Sequence, residues 1–253
     1  MHIDVQGSGP DLVLIHGWAM HGGIFAPLTD LLRAQFRVHI VDLPGHGRGR
    51  GEAHFDLADC ARRIAETTPR ALWIGWSLGG LVALRAALDH PANVRALVMI
   101  ASSPRFVTAA DWPHGVEAGV FDEFAAELQV HYRHAIERFL ALETMGSAHA
   151  QTELRDLRKR VFERGEPNAG ALRDALRELD SSDLRDGLAH LLMPSLWIAG
   201  RRDRMVPPAA MAWSAAHAPH GRSLEFNSGH APFIGYAGQI ATAIDAFATE
   251  LPA

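Results

Sequence analysis

Short apolar runs alternate with amphipathic, helix-like runs along most of the chain. The strand-like runs lie at residues 12–15, 37–41, 71–74, 94–100, 195–199 and 222–226. The helix-like runs that follow some of them lie at residues 56–67, 81–88 and 239–249. Because strands that alternate with helices usually form a parallel sheet, this order predicts an α/β fold, with a mostly parallel sheet and helices on both of its faces.

The alternation stops between residues 106 and 186, where no strand-like run occurs. Helix-like segments replace it at residues 121–134, 135–145, 152–163 and 169–179. We interpret residues 106–186 as a helical cap inserted into a core that residues 1–105 and 187–253 form. An insertion after the carboxyl end of a strand would roof a pocket there. A separate helical domain with no role at the site is the alternative.

One turn carries the strongest chemical signal. The pentapeptide Gly75-Trp76-Ser77-Leu78-Gly79 joins a strand-like run to a helix-like run. A serine in such a turn would be held out at the carboxyl edge of the sheet, and the N–H of Leu78 could donate to an oxyanion. Ser77 is therefore a candidate nucleophile, although Gly-x-Ser-x-Gly also occurs by chance.

A serine nucleophile needs a base, and the base needs an orienting acid. Asp203 and His230 occupy the turns after the last two strand-like runs, so the chain order is Ser, Asp, His. That order is typical of a triad built on an α/β sheet. Each residue taken singly could be an ordinary turn aspartate or a surface histidine.

Two further turns follow strand-like runs. His16-Gly17-Trp18 comes after the first run, where its backbone could donate a second hydrogen bond to an oxyanion, although Gly17 alone would be a plain turn glycine. Residues 42–49, Asp-Leu-Pro-Gly-His-Gly-Arg-Gly, come after the second. Their polar, turn-rich composition predicts a surface loop beside the site.

Composition narrows the class of protein. The 253 residues are 48% hydrophobic and 21% charged, with a formal net charge of −5, which is typical of a soluble globular chain and argues for neither nucleic acid nor a membrane surface as partner. No signal-peptide pattern or membrane-length apolar run occurs. We therefore expect a cytoplasmic protein, and a monomer.

The metal-binding residue types are sparse or scattered. The single cysteine, Cys60, excludes an internal disulfide, and we expect its thiol to be buried and inert. The 15 histidines show no metal-ligand spacing. We expect neither a metal nor a cofactor.

Taken together, the turns at residues 16–18, 75–80, 200–207 and 229–230 resemble those of the α/β-hydrolase family over the whole chain. A narrower resemblance is to the pimeloyl-acyl-carrier-protein methyl ester esterase family of biotin synthesis. It is carried by residues 14–18, 41–45, 75–83, 101–104, 137–142, 144–146 and 230–233. The resemblance implies hydrolysis of the methyl ester of a pimeloyl chain held on acyl carrier protein, by a triad of Ser77, His230 and Asp203.

The same resemblance implies roles for residues around the triad. Trp18 and Leu78 would lie at the oxyanion and acyl site. The acyl channel would be lined by Phe139, Leu140, Ala141, Leu142 and Glu143. From the residues alone, Phe139 and Leu140 would rather be ordinary core of the cap, and Trp76 has no assigned role.

Acyl carrier protein is acidic, so a docking surface for it should be basic. The cap concentrates positive charge at Arg138, Arg155, Arg158, Lys159, Arg160 and Arg164. Glu137, Glu153, Asp156 and Glu163 alternate with these residues, so an ordinary solvated ion-pair face is an equal alternative. The family's docking arginines match at Arg138 and Arg155, whereas His134 and Gln151 occupy the other two positions, which puts the geometry of docking in doubt.

Two other functions are compatible with the sequence. A general esterase, acting on small-molecule esters with a different acyl preference, would use the same triad. A non-catalytic ligand-binding protein could also use this fold and keep an intact triad. Haloalkane-type chemistry needs a carboxylate where Ser77 stands, which argues against it.

Overall fold

The computed structural model describes residues 1–147 and 150–251. The strands are β1 (His2–Gln6), β2 (Asp11–Ile15), β3 (Arg37–Asp42), β4 (Ala71–Trp76), β5 (Val94–Ile100), β6 (Ser195–Gly200) and β7 (Gly221–Phe226). The helices are α1 (Ala26–Leu32), α2 (Leu57–Thr67), α3 (Leu78–Asp89), α4 (Val120–Val130), α5 (Tyr132–Thr144), α6 (Ala150–Val161), α7 (Ala169–Ser181), α8 (Pro208–His217), α9 (Pro232–Gly235) and α10 (Ala237–Thr249). Short 3-10 helices lie at Gly22–Phe25, Gly47–Gly49, Pro91–Asn93 and Arg185–His190.

The strands form one seven-stranded sheet in the order β1-β3-β2-β4-β5-β6-β7. β1 pairs antiparallel with β3, and the other pairs are parallel. The predicted mostly parallel α/β sheet is therefore confirmed. β4 and β6 are buried at every position, which agrees with their apolar sequences and with their having a neighbouring strand on each side. The pattern did not predict β1, whose half-exposed polar sequence is that of an edge strand.

The helices of the core fill the space beside the sheet. α1 packs against α10, α2 packs against α3, and α8 packs against β6 and β7. The pattern predicted α2, α3 and α10 but neither α1 nor α8. Asp56 begins α2 by accepting a hydrogen bond from the N–H of Asp59. Cys60, on the inner face of α2, is buried as expected, and burial raises the pKa of its thiol to about 12.

The helices α4 to α7 lie between β5 and β6 in the chain, within the segment predicted to be a cap. α4 packs against α5 and α7, and α5 packs against α6. The single predicted helix at residues 121–134 is wrong, because His131 leaves helical geometry at φ −136° and ψ 62° and separates α4 from α5. Before α4, residues 107–116 form a small irregular turn closed by bridges from Val107 to Val116 and from Ala109 to Trp112.

The predicted surface loop at residues 42–49 is in fact mostly buried, and residues 42–47 are all covered. Burial is possible because the polar groups have partners inside the protein. The carboxylate of Asp42 accepts hydrogen bonds from the N–H groups of Gly22 and Arg48, at 2.7 and 2.8 Å. His46 accepts from the N–H of Ala19, at 3.2 Å, and its other ring nitrogen bonds the carbonyl of Pro44, at 2.8 Å.

The end of α6 and the residues after it tie the cap to this buried loop. Arg164 donates to both oxygens of Asp42, at 3.0 and 2.9 Å, and Asp42 is only 1% exposed. Arg160 donates to the carbonyl of Gly23 at 3.0 Å, and the ring of His21 donates to the carbonyl of Arg160 at 2.8 Å. Arg160 and Arg164 therefore bind the core, and the prediction that they belong to a basic outer surface is wrong.

We expect the substitution Arg164→Met to destabilise the protein by about 1–3 kcal/mol, since it leaves the buried carboxylate of Asp42 without its cationic partner. Two backbone N–H groups remain on that carboxylate, which limits the loss. Urea unfolding measures the change. Arg158→Met is the matched control, because Arg158 is half exposed and lies 3.7 Å from Glu137. It should change stability by less than about 0.5 kcal/mol. Equal losses in the two variants would contradict this account.

Candidate active site

The turn between β4 and α3 holds Ser77 in strained backbone geometry. Its φ is 53° and its ψ is −121°, in the region that favours glycine. Neighbouring backbone is so close that a Cβ at position 79 would lie 2.1 Å from the carbonyl oxygen of Ile15, and one at position 75 would lie 2.3 Å from that of Gly79. The glycines on either side of Ser77 are therefore required by space.

Two hydrogen bonds from the end of β5 support this turn. The N–H of Ser77 donates to the carbonyl of Ile100 at 3.1 Å. The hydroxyl of Ser102 donates to the carbonyl of Ser77 at 2.7 Å. Sequence reasoning gave Ser102 no role. Its place just after β5, at the sheet edge that carries Ser77, was the signal that could have identified it.

The loops after β6 and β7 bring Asp203 and His230 to Ser77. His230 Nε2 lies 2.9 Å from Ser77 Oγ, and His230 Nδ1 lies 2.8 Å from Asp203 Oδ2. The carboxylate fixes the tautomer, with Nδ1–H donating to Asp203 and Nε2 free to accept from the serine hydroxyl. The three predicted side chains thus form one hydrogen-bonded chain, although they are far apart in sequence.

The other oxygen of Asp203 is held by its own loop. Asp203 Oδ1 accepts from the N–H groups of Met205 and Val206, at 2.9 and 3.0 Å. These bonds orient Oδ2 toward the imidazole. Burial alone would lower the pKa of His230, but the charge and hydrogen bond of Asp203, with a smaller effect of Glu143, raise it above the ordinary value.

Trp76 and Glu143 hold the backbone of His230 from two sides. The indole N–H of Trp76 donates to the carbonyl of His230 at 2.8 Å. The N–H of His230 donates to the carbonyl of Glu143, at the end of α5, at 3.2 Å. Trp76, which had no assigned role, therefore positions the histidine, and no local sequence pattern indicates this contact.

The backbone N–H groups of Trp18 and Leu78 are available near Ser77. Leu78 is the first residue of α3, where an N–H has no partner within the helix. Among the described residues, neither N–H donates a hydrogen bond. His16 shapes the turn before Trp18, since its Nε2 accepts from the N–H of Leu43 and its Nδ1 donates to the carbonyl of Gly17. Burial lowers the pKa of His16 to about 3, so this histidine stays neutral.

The segment predicted to line an acyl channel, residues 139–143, is in the last turns of α5. The ring of Phe139 lies 4.4 Å from that of Trp18 and 5.3 Å from that of Phe124, so it belongs to the packing of the cap and also covers Trp18. Leu140 and Glu143 are buried, and Ala141 and Leu142 are partly buried. The indole of Trp18 donates to the carbonyl of Leu172 in α7, at 2.9 Å. Two cap helices thus close over this turn.

The site is closed in this conformation. Ser77 and His230 are 0% exposed. A substrate can therefore reach the serine hydroxyl only if the residues that cover it move aside.

The predicted docking residues lie on the outer surface of the cap. Arg138, Arg155, Arg158 and Lys159 are all exposed. Arg138 is paired with Glu127, which also accepts from His134, whereas Arg158 is only loosely paired with Glu137. Within the described ranges, Arg155 and Lys159 have no carboxylate within salt-bridge distance. The surface therefore combines paired and unpaired cations, and Gln151 beside it is exposed.

Residues 1–147 and 150–251 contain neither a cluster of metal-binding side chains nor a membrane-spanning helix. No group of three or more His, Cys, Asp or Glu side chains in these ranges is arranged to hold a metal ion. No helix built from them has the length and apolar character needed to cross a bilayer.

The sheet order, the strained serine turn and the hydrogen-bonded chain at the carboxyl ends of the strands are those of an α/β hydrolase. The α/β-hydrolase fold family matches residues 10–235, and the chain belongs to that family. It is 54% identical, over 254 aligned residues and 100% of both chains, to the pimeloyl-[acyl-carrier protein] methyl ester esterase of Xanthomonas campestris pv. campestris. It is also 54% identical to the esterase of the same name from Stenotrophomonas maltophilia, over 99% of this chain and 97% of that one.

Solved structures share the architecture. An esterase from Exiguobacterium antarcticum matches with a TM-score of 0.88 and 22% identity, over 98% of this chain and 95% of its own. The enol-lactonase from Burkholderia xenovorans matches with a TM-score of 0.85 and 20% identity, over 98% and 96%. At these identities the likeness shows the fold alone.

We expect Gly79→Ala to destabilise the protein by about 3 kcal/mol or more, because the added methyl group would overlap the backbone of β2 and force α3 away from the sheet. Thermal or urea unfolding measures this loss. Gly238→Ala is the matched control, since Gly238 lies near the start of α10 with no atom within 4 Å of an added Cβ. It should leave stability unchanged or raise it by up to about 1 kcal/mol. A Gly79→Ala protein as stable as wild type would show that the turn is not tightly packed.

Proposed function

We propose that this chain is a serine carboxylesterase that hydrolyses the methyl ester of pimeloyl-[acyl-carrier protein], a reaction of biotin synthesis, and releases methanol. The chemistry rests on the hydrogen-bonded chain from Ser77 through His230 to Asp203. The substrate rests on the relatives that bear this name and are 54% identical over the full length, cap included.

In the first half of the reaction, Ser77 Oγ attacks the ester carbonyl while His230 Nε2 takes the hydroxyl proton. The carbonyl oxygen becomes an oxyanion, to which the N–H groups of Trp18 and Leu78 donate. Asp203 stabilises the imidazolium. The tetrahedral intermediate collapses when the C–O bond to the methoxy group breaks and His230 protonates that group, which leaves as methanol.

In the second half, water enters beside His230 and attacks the acyl-enzyme carbonyl. His230 Nε2 takes a proton from the water, a second oxyanion forms at Trp18 and Leu78, and the bond to Ser77 Oγ breaks. The proton returns to the serine, and the product is a free carboxylate on the carrier-bound chain.

The cap, residues 106–186, selects the substrate in this proposal. Residues 139–143 line the path of the acyl chain, which agrees with the position of Phe139 against Trp18. The exposed cations Arg138, Arg155, Arg158 and Lys159 receive the acidic carrier protein. Arg155 and Lys159 contribute most, because a cation without an internal partner loses no ion pair when it binds.

We expect Ser77→Ala to reduce methanol release from the carrier-bound methyl ester by at least about 10³-fold, since the hydroxyl that forms the acyl-enzyme is gone. Gas chromatography of methanol and a mobility shift of the carrier protein measure the reaction. Ser181→Ala, at an exposed helix end, is the control and should keep full activity. A Ser77→Ala protein that still cleaves short-chain esters would contradict the mechanism. A wild-type protein that cleaves only small esters would support a general esterase instead.

We expect the double substitution Arg155→Glu and Lys159→Glu to raise KM for the carrier-bound ester by about tenfold or more, because two attractive contacts become repulsive. Activity on a small methyl ester should not change, since both side chains are exposed at the surface whereas Ser77 is buried. Steady-state kinetics on the two substrates at low and high salt measure the effect. Arg177→Glu, on α7 beside Asp174, is the matched control. If the double variant and the control behave alike, carrier docking uses another surface.

A further inference from the structure

The loop that carries Asp203 also carries three exposed arginines. Arg201, Arg202 and Arg204 are at the surface, whereas Asp203 is buried in the triad. Arg201 has an acidic partner, since its Nε lies 3.4 Å from a carboxylate oxygen of Glu225 on β7. The side chains of Arg202 and Arg204 make neither a hydrogen bond nor an ion pair with any residue in the described ranges. Within that part of the chain, two exposed guanidinium groups of this loop therefore have no anionic partner.

Arg202 and Arg204 lie against the end of the cap helix α5. Gly146 follows that helix, and a Cβ placed on it would lie 3.6 Å from the Cβ of Arg202 and 3.7 Å from the Nε of Arg204. The two arginines belong to the core in sequence, but they border the surface of the cap in space.

The same part of the cap also contacts the loop after β7. A Cβ at Gly229, the residue before His230, would lie 3.2 Å from the Cβ of Ser147. Residues 146–147 therefore pack against both of the loops that carry His230 and Asp203. We call this contact the seam. A partner bound over the seam would be held beside the loops of the triad.

The seam is also close to the exposed cations of α6. Ala150, the first residue of α6, comes four residues after Gly146, so their Cα atoms are at most about 14 Å apart. A stable protein–protein interface covers about 800 Å² on each partner, which is a patch about 30 Å across. One docked protein is therefore large enough to contact α6 and the two arginines together.

Charge indicates which kind of partner fits the seam. The chain as a whole has a net charge of −5, so unpaired cations are a local feature of this surface. The acidic side chains nearest to the seam in sequence, Glu143 and Glu153, are buried and do not reach the surface. Arginine also pairs well with carboxylates, because its planar guanidinium group can donate two hydrogen bonds to one carboxylate. An acidic protein surface would supply such carboxylates.

We propose that Arg202 and Arg204 are the core part of the docking surface for the acidic carrier protein, which spans the seam between α6 and the Asp203 loop. The inference rests on the proposed function, in which the carrier bears the ester. It extends the docking surface from the cap onto the core, and it holds the carrier beside the loops of the triad.

The test is the double variant Arg202→Gln and Arg204→Gln, which removes both charges and keeps polar side chains at the surface. KM for the carrier-bound ester should rise at least about fivefold, because two attractive contacts are lost. The kcat/KM on a small methyl ester should stay within about twofold of the wild type, since neither side chain bonds a residue of the triad. Arg202→Lys with Arg204→Lys keeps both charges and should retain most of the affinity for the carrier.

Arg33→Gln with Arg222→Gln is the matched control, because it removes the same charge from two exposed arginines. Arg222 lies at the amino end of β7. Arg33 lies beside Gly7, close to the amino end of β3, so both residues are at the sheet edge opposite the triad. The control should leave KM for the carrier-bound ester within about twofold. The effect of the test variant should shrink in about 1 M salt, where charges are screened beyond about 3 Å.

Binding of the carrier-bound ester to the Ser77→Ala protein, measured by isothermal titration calorimetry, reports on docking without turnover. Kd should rise at least about fivefold when Arg202→Gln and Arg204→Gln are added. If Kd and KM do not change while the wild type hydrolyses the carrier-bound ester, this inference is overturned and the proposed function stands. An equal loss of activity on the small ester would also overturn it, since the arginines would then support the loop and not the docking. A wild type that hydrolyses only small esters would contradict the proposed function and this inference with it.

Discussion

The close contact between the Ser77 turn and the neighbouring backbone is the constraint on which the site depends. Gly79 lies so near the end of β2 that no side chain fits between them, and this contact fixes the start of α3 against the sheet. Two consequences follow from the same contact. The N–H of Leu78 is left without a helical partner beside Ser77, and the turn after β2 is brought close to Ser77, since a Cβ at Gly17 would lie 3.2 Å from the Cβ of Ser77. The strain at Ser77 is tolerated because the hydrogen bonds from β5 and Ser102 over-determine the turn.

The core of this arrangement could be predicted from the sequence because it obeys a rule that links chain position to spatial position. Carboxyl ends of parallel strands share one edge of a sheet, so the turns after β4, β6 and β7 lie at the same edge, whatever the length of chain between them. That rule is enough to bring Ser77, Asp203 and His230 into one group. The sequence also predicted the buried strands, because a strand covered on both faces is a continuous apolar run. The absence of such runs between residues 106 and 186 predicted helices there.

The sequence could not predict contacts between residues that are far apart in the chain. Residues 42–47 look polar enough for a surface loop, and their burial depends on distant partners such as Arg164, 122 positions away, which donates to the carboxylate of Asp42. The bond from Trp76 to the carbonyl of His230 spans 154 positions and has no local pattern either. Such contacts join groups whose own sequences are unremarkable, so periodicity and turn chemistry carry no information about them. Edge strand β1 was missed for a different reason, since half-exposed strands lack the apolar run that marks a central one.

A site that is closed to water can contain only a few charged groups. With Ser77 and His230 fully buried, water cannot screen a charge nearby, and each additional ion would act on the reacting atoms at low dielectric. The groups around the triad agree with this restriction. His16 and His46 are held neutral by burial, with pKa values lowered to about 3 and about 4, while Asp203 keeps two N–H donors and the imidazole for its charge. In the proposed mechanism, the new charges are an imidazolium beside that carboxylate and an oxyanion to which two N–H groups donate, so each charge that forms has its own partner.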